Sequence, residues 1–495
     1  MRKWGPVTAV CLSTFMLLLD VTIVVVALPD MARVLGASLS DLQWVIGGYA
    51  LALAALVLGF GTAADRFGRR RVHVLGVALF AAASLACGLA WSPDLLVGAR
   101  MVQGVGAAAM FATTLPLLGS VYRGEDRAVA LGLWGAVSGT GSAIGPILGG
   151  LLTQGPGWRW IFFVNIPLSV VGIWLTRRTV PESRSPQDIR IDWAGTATFA
   201  LFAGAATYGA ERAGALGWAA PRTLATLAVA LLALLAFIVV ENGTAHPLLD
   251  LSLFRTPAFV AVMAGAFAFN AAAFAVLPYL SIWLQTVLGL SPARAGLAVL
   301  PLAATAFVVA AVGGRLLRGV SRRLVIGLGL VLVGLGTAAQ GFVSAGSSWT
   351  VLLPGLALAG IGTGLVSPAL GGAALDSVPR ERAGMAGGAV STFRQLGYAV
   401  GVAVAGTILT SRMTPPLTGE QAHVLAGGGA RELADTLSVH ALRAAFASAL
   451  TTTTLVAGLV GILAGAMALL LIRDPHPAPA PQPVAPRKAP APRDS

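Results

Sequence analysis

The recurrence of apolar stretches about twenty residues long, the length that crosses a ~30 Å hydrocarbon core as a helix, governs what this chain can become. They fall near 7–28, 42–64, 72–91, 95–119, 128–152, 160–176, 193–210, 222–240, 257–283, 295–314, 323–344, 350–372, 383–410 and 444–472. Backbone groups in hydrocarbon must be paired internally, so only helices and closed barrels span a bilayer. The strict alternation of a barrel is absent, and Ala, Leu and Gly dominate. Charged residues make up 11% of the chain, against about a quarter in soluble domains, which excludes an ordinary soluble globule. The expected fold class is an all-α integral membrane protein with fourteen spans.

The net charge of +13 suggests nucleic acid until its distribution is followed. With a cytoplasmic N-terminus, 23 of the 33 basic residues fall on the inner side, including Lys3, Arg66, Arg69, Arg70, Arg71, Arg177, Arg178, Arg190, Arg318, Arg322, Arg380 and Arg382. Eight fall outside (Arg33, Arg159, Arg212, Arg222, Arg294, Arg412, Arg431 and Arg443), and Arg100 and Arg394 lie within spans. The positive-inside rule then places both termini in the cytoplasm, which an even number of spans allows. The basic charge reports topology and contact with anionic lipid, with no nucleic acid expected. The stretch after Arg2-Lys3 is too long for a secretory signal and thirteen more follow, so it is read as a retained helix of a multi-pass protein of the cell (inner) membrane.

Six spans over 1–178 and six over 256–473 flank a linker, 179–255, that holds two more; this is the layout of a duplicated transporter with an inserted hairpin. The Pro/Ala-rich tail, 474–495, reads as disordered and cytoplasmic. The long outer loop from Arg412 to Arg443 contains Gly427-Gly428-Gly429, then Arg431-Glu432-Leu433-Ala434-Asp435, a candidate short surface helix.

Phosphate binding of the Walker type needs a lysine in a glycine-rich loop, and the only lysines are Lys3 and Lys488. The five histidines are scattered, and Cys11 and Cys87 both fall inside spans. No cofactor, metal or enzymatic reaction is expected, so an ion gradient must do any driving. Asp20 is the natural place to look, because a carboxylate inside an apolar stretch is costly and by default functional.

Around it stand strings with specific spacing. Gly61-Thr62-Ala63-Ala64-Asp65-Arg66-Phe67-Gly68-Arg69-Arg70-Arg71 joins the second and third spans; its glycines let the chain reverse tightly, and Asp65 can pair with arginines as a latch. The fourth span carries Arg100-Met101-Val102-Gln103-Gly104, and the fifth Gly141-Ser142-Ala143-Ile144-Gly145-Pro146-Ile147-Leu148-Gly149-Gly150. Gly141, Gly145 and Gly149 repeat every four residues, which makes one smooth face for close helix approach, while Pro146 is expected to bend the segment. With Leu42-Gln43-Trp44-Val45, Tyr49, the string Trp158 to Pro167, Asp192-Trp193-Ala194-Gly195 and Arg394-Gln395-Leu396-Gly397, these resemble the major facilitator superfamily. The particular likeness is to its fourteen-helix drug/proton antiporter branch. Ala63 departs from the usual Leu of the signature loop.

The resemblance implies two six-helix bundles that expose a midplane cavity to one side at a time, with Asp20, Arg100 and Gln103 in proton coupling. At 1.5 Å per residue, Asp20 lies ~20 Å above the inner end of its helix and Arg100 at ~22 Å, so the two are expected to meet. The signature loop, through Gly61, Asp65, Arg66, Gly68, Arg69 and Arg70, would act as cytoplasmic gate. The fifth-span string, with Gly141, Gly145, Pro146, Gly149 and Gly150, marks antiporters. Phe111, Asn270, Phe274, Tyr279, Trp283 and Arg394 are candidate cavity residues by position. The implied partners are protons, the lipid bilayer and an amphipathic or lipophilic small molecule, with no obligate protein partner. Export of an endogenous amino acid, siderophore or sugar is the alternative, and a non-transporting sensor a more distant one.

Overall fold

The computed structural model describes residues 3–184, 191–245, 247–316, 320–378, 383–414 and 416–472. Among them all regular structure is helical. The order is α1 (Gly5–Leu35), α2 (Leu39–Phe67), α3 (Arg69–Gly88), α4 (Pro93–Val121), α5 (Gly124–Gln154), α6 (Trp160–Phe163), α7 (Asn165–Thr179), α8 (Trp193–Leu216) and α9 (Pro221–Gly243). There follow α10 (Pro257–Ala273), α11 (Leu277–Ile282), α12 (Pro292–Leu316), α13 (Arg322–Ala339), α14 (Leu353–Asp376), α15 (Ala383–Met413), α16 (Gly419–Ala426) and α17 (Val439–Leu471). Among the described residues thirteen spans are long and apolar enough to cross a membrane, with α6 and α7 forming one and α10 and α11 another. The remaining expected span is α8, whose hydropathy is diluted by Gly, Thr, Trp193 and Tyr208 but whose 24 residues pack along α9, α15 and α2.

Local chemistry sets the helix ends. At the start of α2 the Ser38 hydroxyl accepts from the Asp41 N–H while the Asp41 carboxylate accepts from the Ser38 N–H, a reciprocal cap. The ninth stretch, expected as one helix over 257–283, is interrupted at 274–276. Pro278 has no N–H with which to continue α10, and it stands in the first turn of α11. The loop between α15 and α17 also departs from expectation: residues 431–435 form turns, and the helix of this loop is α16. Thr418 and Gln421 cap α16 reciprocally, and the glycine run from Gly427 ends it. The segment is not a surface excursion, since Leu425 and Ala426 are 0% exposed.

Successive spans reverse direction, so the face carrying the α1–α2 turn and α16 (distal) lies opposite that carrying the α2–α3 turn (proximal). Among the first six spans α1 packs on α5 and α7, while α2 and α3 pack on α4. Among the last six, α13 packs on α14 and α17, α10 on α15 and α17, and α12 on α14. Two seams connect these sets, α5 against α12 and α2 against α15. At the distal end one continuous apolar cluster takes in Leu28, Leu42, Trp158, Trp283, Leu425 and Phe446. The 474–495 tail, Arg190, Arg318, Arg380 and Arg382 lie outside the described residues.

Candidate functional site

Asp20 and Arg100 meet in the middle of the first six spans. Arg100 Nη1 donates to Asp20 Oδ2 at 2.6 Å, with the two residues 2% and 0% exposed. The depth estimate from the sequence therefore holds. Two buried ions cost several kcal/mol each to desolvate, so such a pair persists only where the remaining polar atoms are also satisfied. Here the second carboxylate oxygen is satisfied twice: Gln103 Nε2 donates to Asp20 Oδ1 at 2.8 Å and Asn165 Nδ2 donates to the same oxygen at 2.9 Å. Arg100 further donates to Gln103 Oε1 and, through Nε, to the Val45 carbonyl of α2 at 3.0 Å. The Tyr49 ring lies 4.3 Å from the guanidinium carbon, a cation–π contact.

Asn165 and Ser84 complete the cluster, Ser84 Oγ accepting from Gln103 Nε2 at 2.9 Å. Sequence reading groups Asn165 with the Trp158–Pro167 string and gives neither residue a role. The available signal is the one that singles out Asp20, a strongly polar side chain in an apolar span. Side chains of α4 and α7 thus converge on the carboxylate of α1, and Ser84 of α3 and a carbonyl of α2 hold those side chains in turn. Protonating that carboxylate would change the pair from neutral to singly positive in a site closed to water.

At the proximal face the signature loop is tied within the first six spans. Asp65 pairs with Arg69, which donates through Nε at 2.8 Å and lies 2.7 Å away through Nη2. Arg66 is exposed beside the Phe67 ring. Gly68 adopts φ +112°, a backbone conformation that side-chain-bearing residues avoid, and a Cβ there would stand 2.8 Å from the Glu182 carboxyl. Glu182, which sequence reading passes over, accepts from the Arg70 N–H at 3.0 Å and lies 3.8 Å from both Arg70 and Arg71. Gly61 by contrast has open space where a Cβ would go.

The glycine string of α5 presents two faces. Gly141, Gly145 and Gly149 lie against Phe15, Thr22 and Ile23 of α1; a Cβ on Gly149 would stand 2.6 Å from the Ile23 carbonyl oxygen. Gly150 and Pro146 face α12, where a Cβ on Gly150 would meet the Pro292 carbonyl at 2.5 Å and one on Gly296 would collide with the Pro146 carbonyl. One string therefore serves both the α1 packing and a seam between the two sets of spans.

The candidate cavity residues separate. Phe111 and Phe274 are partly buried, Asn270 is buried, and Arg394 is partly buried beside it. Tyr279 and Trp283, each 1% exposed, are enclosed in the distal apolar cluster. Gln43 Nε2 donates to the Tyr279 hydroxyl at 2.8 Å, and that hydroxyl donates to the Val402 carbonyl at 2.6 Å. Tyr279 is thus bonded between α2 and α15, and Trp283 is packed in the distal cluster, so neither forms an open wall.

Apolar helices long enough to cross a bilayer many times over, with a buried, hydrogen-bonded ion pair at mid-depth, define a multi-pass membrane transporter. The family model described as Major Facilitator Superfamily matches residues 10–402 and, in a second match, 262–493. The chain belongs to that superfamily, and it is a transporter of small molecules and not an enzyme. It is 36% identical over 407 residues to the multidrug resistance protein Stp of Mycobacterium tuberculosis, covering 82% of this chain and 76% of that one. It is 35% identical to the tetracenomycin C resistance and export protein of Streptomyces glaucescens, over 83% of this chain and 77% of that one. The methylenomycin A resistance protein of Streptomyces coelicolor is 32% identical over 82% and 85%. In fold, the chain resembles the crystal structure of a bacterial homologue of the human lysosomal transporter Spinster, with a TM-score of 0.68 at 20% identity, covering 96% of this chain and 99% of that one.

Proposed function

We propose that the chain exports an amphipathic or lipophilic drug or natural product from the cell in exchange for protons, by alternating access. The observation that carries this reading is the buried Asp20–Arg100 pair with Gln103 and Asn165 closed around it. In a membrane interior such a carboxylate is the group on which a proton gradient can act. The names of the resistance and export proteins that the chain resembles support the direction of transport and the class of cargo.

In this reading residues 1–178 and 256–473 form two bundles joined through α8 and α9, the proximal face is cytoplasmic with both termini on it, and the host is the cell (inner) membrane. A proton arriving from outside neutralises Asp20, frees Arg100 from its partner and accompanies release of cargo; loss of that proton to the cytoplasm resets the pair. Asp65, Arg69 and Glu182 hold the cytoplasmic loop. Gly150 and Pro146 of α5 let the bundles approach at α12. Phe111, Asn270, Phe274 and Arg394 line the path between the bundles.

Everted membrane vesicles test it. A lipophilic drug added to vesicles containing the wild-type protein should dissipate a preformed proton gradient, and vesicles containing Asp20→Asn should hold theirs. Equal dissipation by both would remove Asp20 from the mechanism, and dissipation by neither would remove proton exchange.

A further inference from the structure

Arg394 stands alone where Arg100 stands paired. It lies eleven residues into α15, Asn270 thirteen residues into α10, and Ser367 nine residues from the end of α14. At 1.5 Å per residue these positions are roughly 17, 20 and 14 Å from the proximal ends of their helices. Three helices of the last six spans therefore bring polar side chains to one depth inside the membrane.

The guanidinium has thin support there. Nε donates to Asn270 Oδ1 and Nη1 to Ser367 Oγ, both at 3.4 Å and both to neutral acceptors. Of its five N–H donors, three have no protein partner among the described residues. The ion pairs of the described residues use Asp20, Asp30, Asp65, Asp126, Glu182 and Asp376, and none of these carboxylates reaches Arg394. Arginine does not shed its proton in proteins, and intramembrane charges are otherwise found paired or facing a water-filled cavity. Part of the side chain is accessible, and the Phe269 ring lies 5.0 Å from its central carbon, with Phe274 edge-on to Phe269 at 5.7 Å.

A permanent cation with spare donors in a planar fork, set beside aromatic rings, has the chemistry of a receptor for an aromatic monoanion. We infer that Arg394, with Asn270 and Ser367, binds the acidic group of the exported molecule, so that the cargo class is aromatic or amphipathic organic acids bearing a carboxylate or phenolate. This rests on the export reading and narrows its cargo. The charge on such a substrate is one, which agrees with the scarcity of other intramembrane charges.

The test is equilibrium binding to the full chain in lipid nanodiscs at fixed chloride, with 2-naphthoate, its methyl ester and 2-naphthyltrimethylammonium as probes. Naphthoate should bind at least tenfold more tightly than either neutral or cationic analogue. Arg394→Gln should lose that advantage while binding the ester as before, and Arg394→Lys should keep an intermediate preference. If Arg394→Gln does not fold, Ser367→Ala and Asn270→Ala should each weaken naphthoate severalfold and leave the ester unchanged. Equal binding of acid and ester by the wild type, unchanged acid binding in the variants, or equally effective competition by inorganic phosphate would overturn the assignment. Binding needs no proton gradient, so failure of proton exchange in vesicles leaves this measurement intact and the two failures are separately visible.

Discussion

Arg100 holds Asp20 at 2.6 Å with both side chains closed to solvent, and it holds the carbonyl of Val45 with its other edge. One guanidinium thus couples the carboxylate of α1 to the backbone of α2, the helix that forms a seam with α15. Removing one member of a buried pair leaves the other uncompensated, at a cost of about 3–5 kcal/mol. Asp20→Asn is expected to lower the melting temperature in detergent while leaving the protein folded, and Asp20→Asn with Arg100→Met to recover much of that loss. A single variant as stable as wild type would show that the pair is not held in this way.

The α5 glycines should divide by the face they occupy. Gly145→Ala and Gly149→Ala drive a methyl group into Thr22 and Ile23 of α1, and overpacking of this kind costs roughly 1–3 kcal/mol. Gly132→Ala, on the same helix with open space at that point, is expected to be neutral or slightly stabilising. Thermal unfolding of the three variants side by side distinguishes packing from a general preference for glycine.

The signature loop gives a similar contrast. Gly68→Ala must take a Cβ into φ +112° against Glu182, which is worth about 1–3 kcal/mol of strain. Gly61→Ala meets nothing. Limited proteolysis of the α2–α3 turn should accelerate for the first and stay unchanged for the second.

Within the distal loop that holds α16, Leu425→Ala is expected to behave as a core substitution. Leu425 is 0% exposed within the distal cluster, and a buried leucine truncated to alanine costs about 2–5 kcal/mol. Val439→Ala, at a position 57% exposed, should shift stability by no more than about 0.5 kcal/mol. Similar melting temperatures for the two would mean that the loop does not cap the bundle.

Much of this was legible in the residues because the bilayer imposes so narrow a grammar. Span length alone places most helix ends within about four residues, although α1 runs seven residues past its expected end, and counting residues along α1 and α4 puts Asp20 and Arg100 at one depth. Reading failed where a tertiary contact decides. Asn165 reaches Asp20 from a helix more than a hundred residues away, and its polarity in an apolar span flags it without saying which partner it meets. Pro278 interrupts the ninth span although its neighbours are apolar throughout. In the outer loop the charged run at Arg431 looks helical, while the capping pair Thr418 and Gln421 starts the helix earlier. The glycines at 145 and 150 look equivalent in the string, and only the positions of α1 and α12 separate their roles.

The placement of α8 carries a mechanical consequence. Thr407 Oγ1 of α15 donates to the Ala210 carbonyl of α8 at 2.9 Å, and Trp44 of α2 lies 6.1 Å from Tyr208 of α8, ring to ring. Helix α8 lies along one of the two joints like a splint, while the α5–α12 joint has none among the described residues. Any relative motion of the two sides must either drag this helix along or shear it against a neighbour. The protein should flex like a book bound along one edge, with most of its travel on the unbound margin.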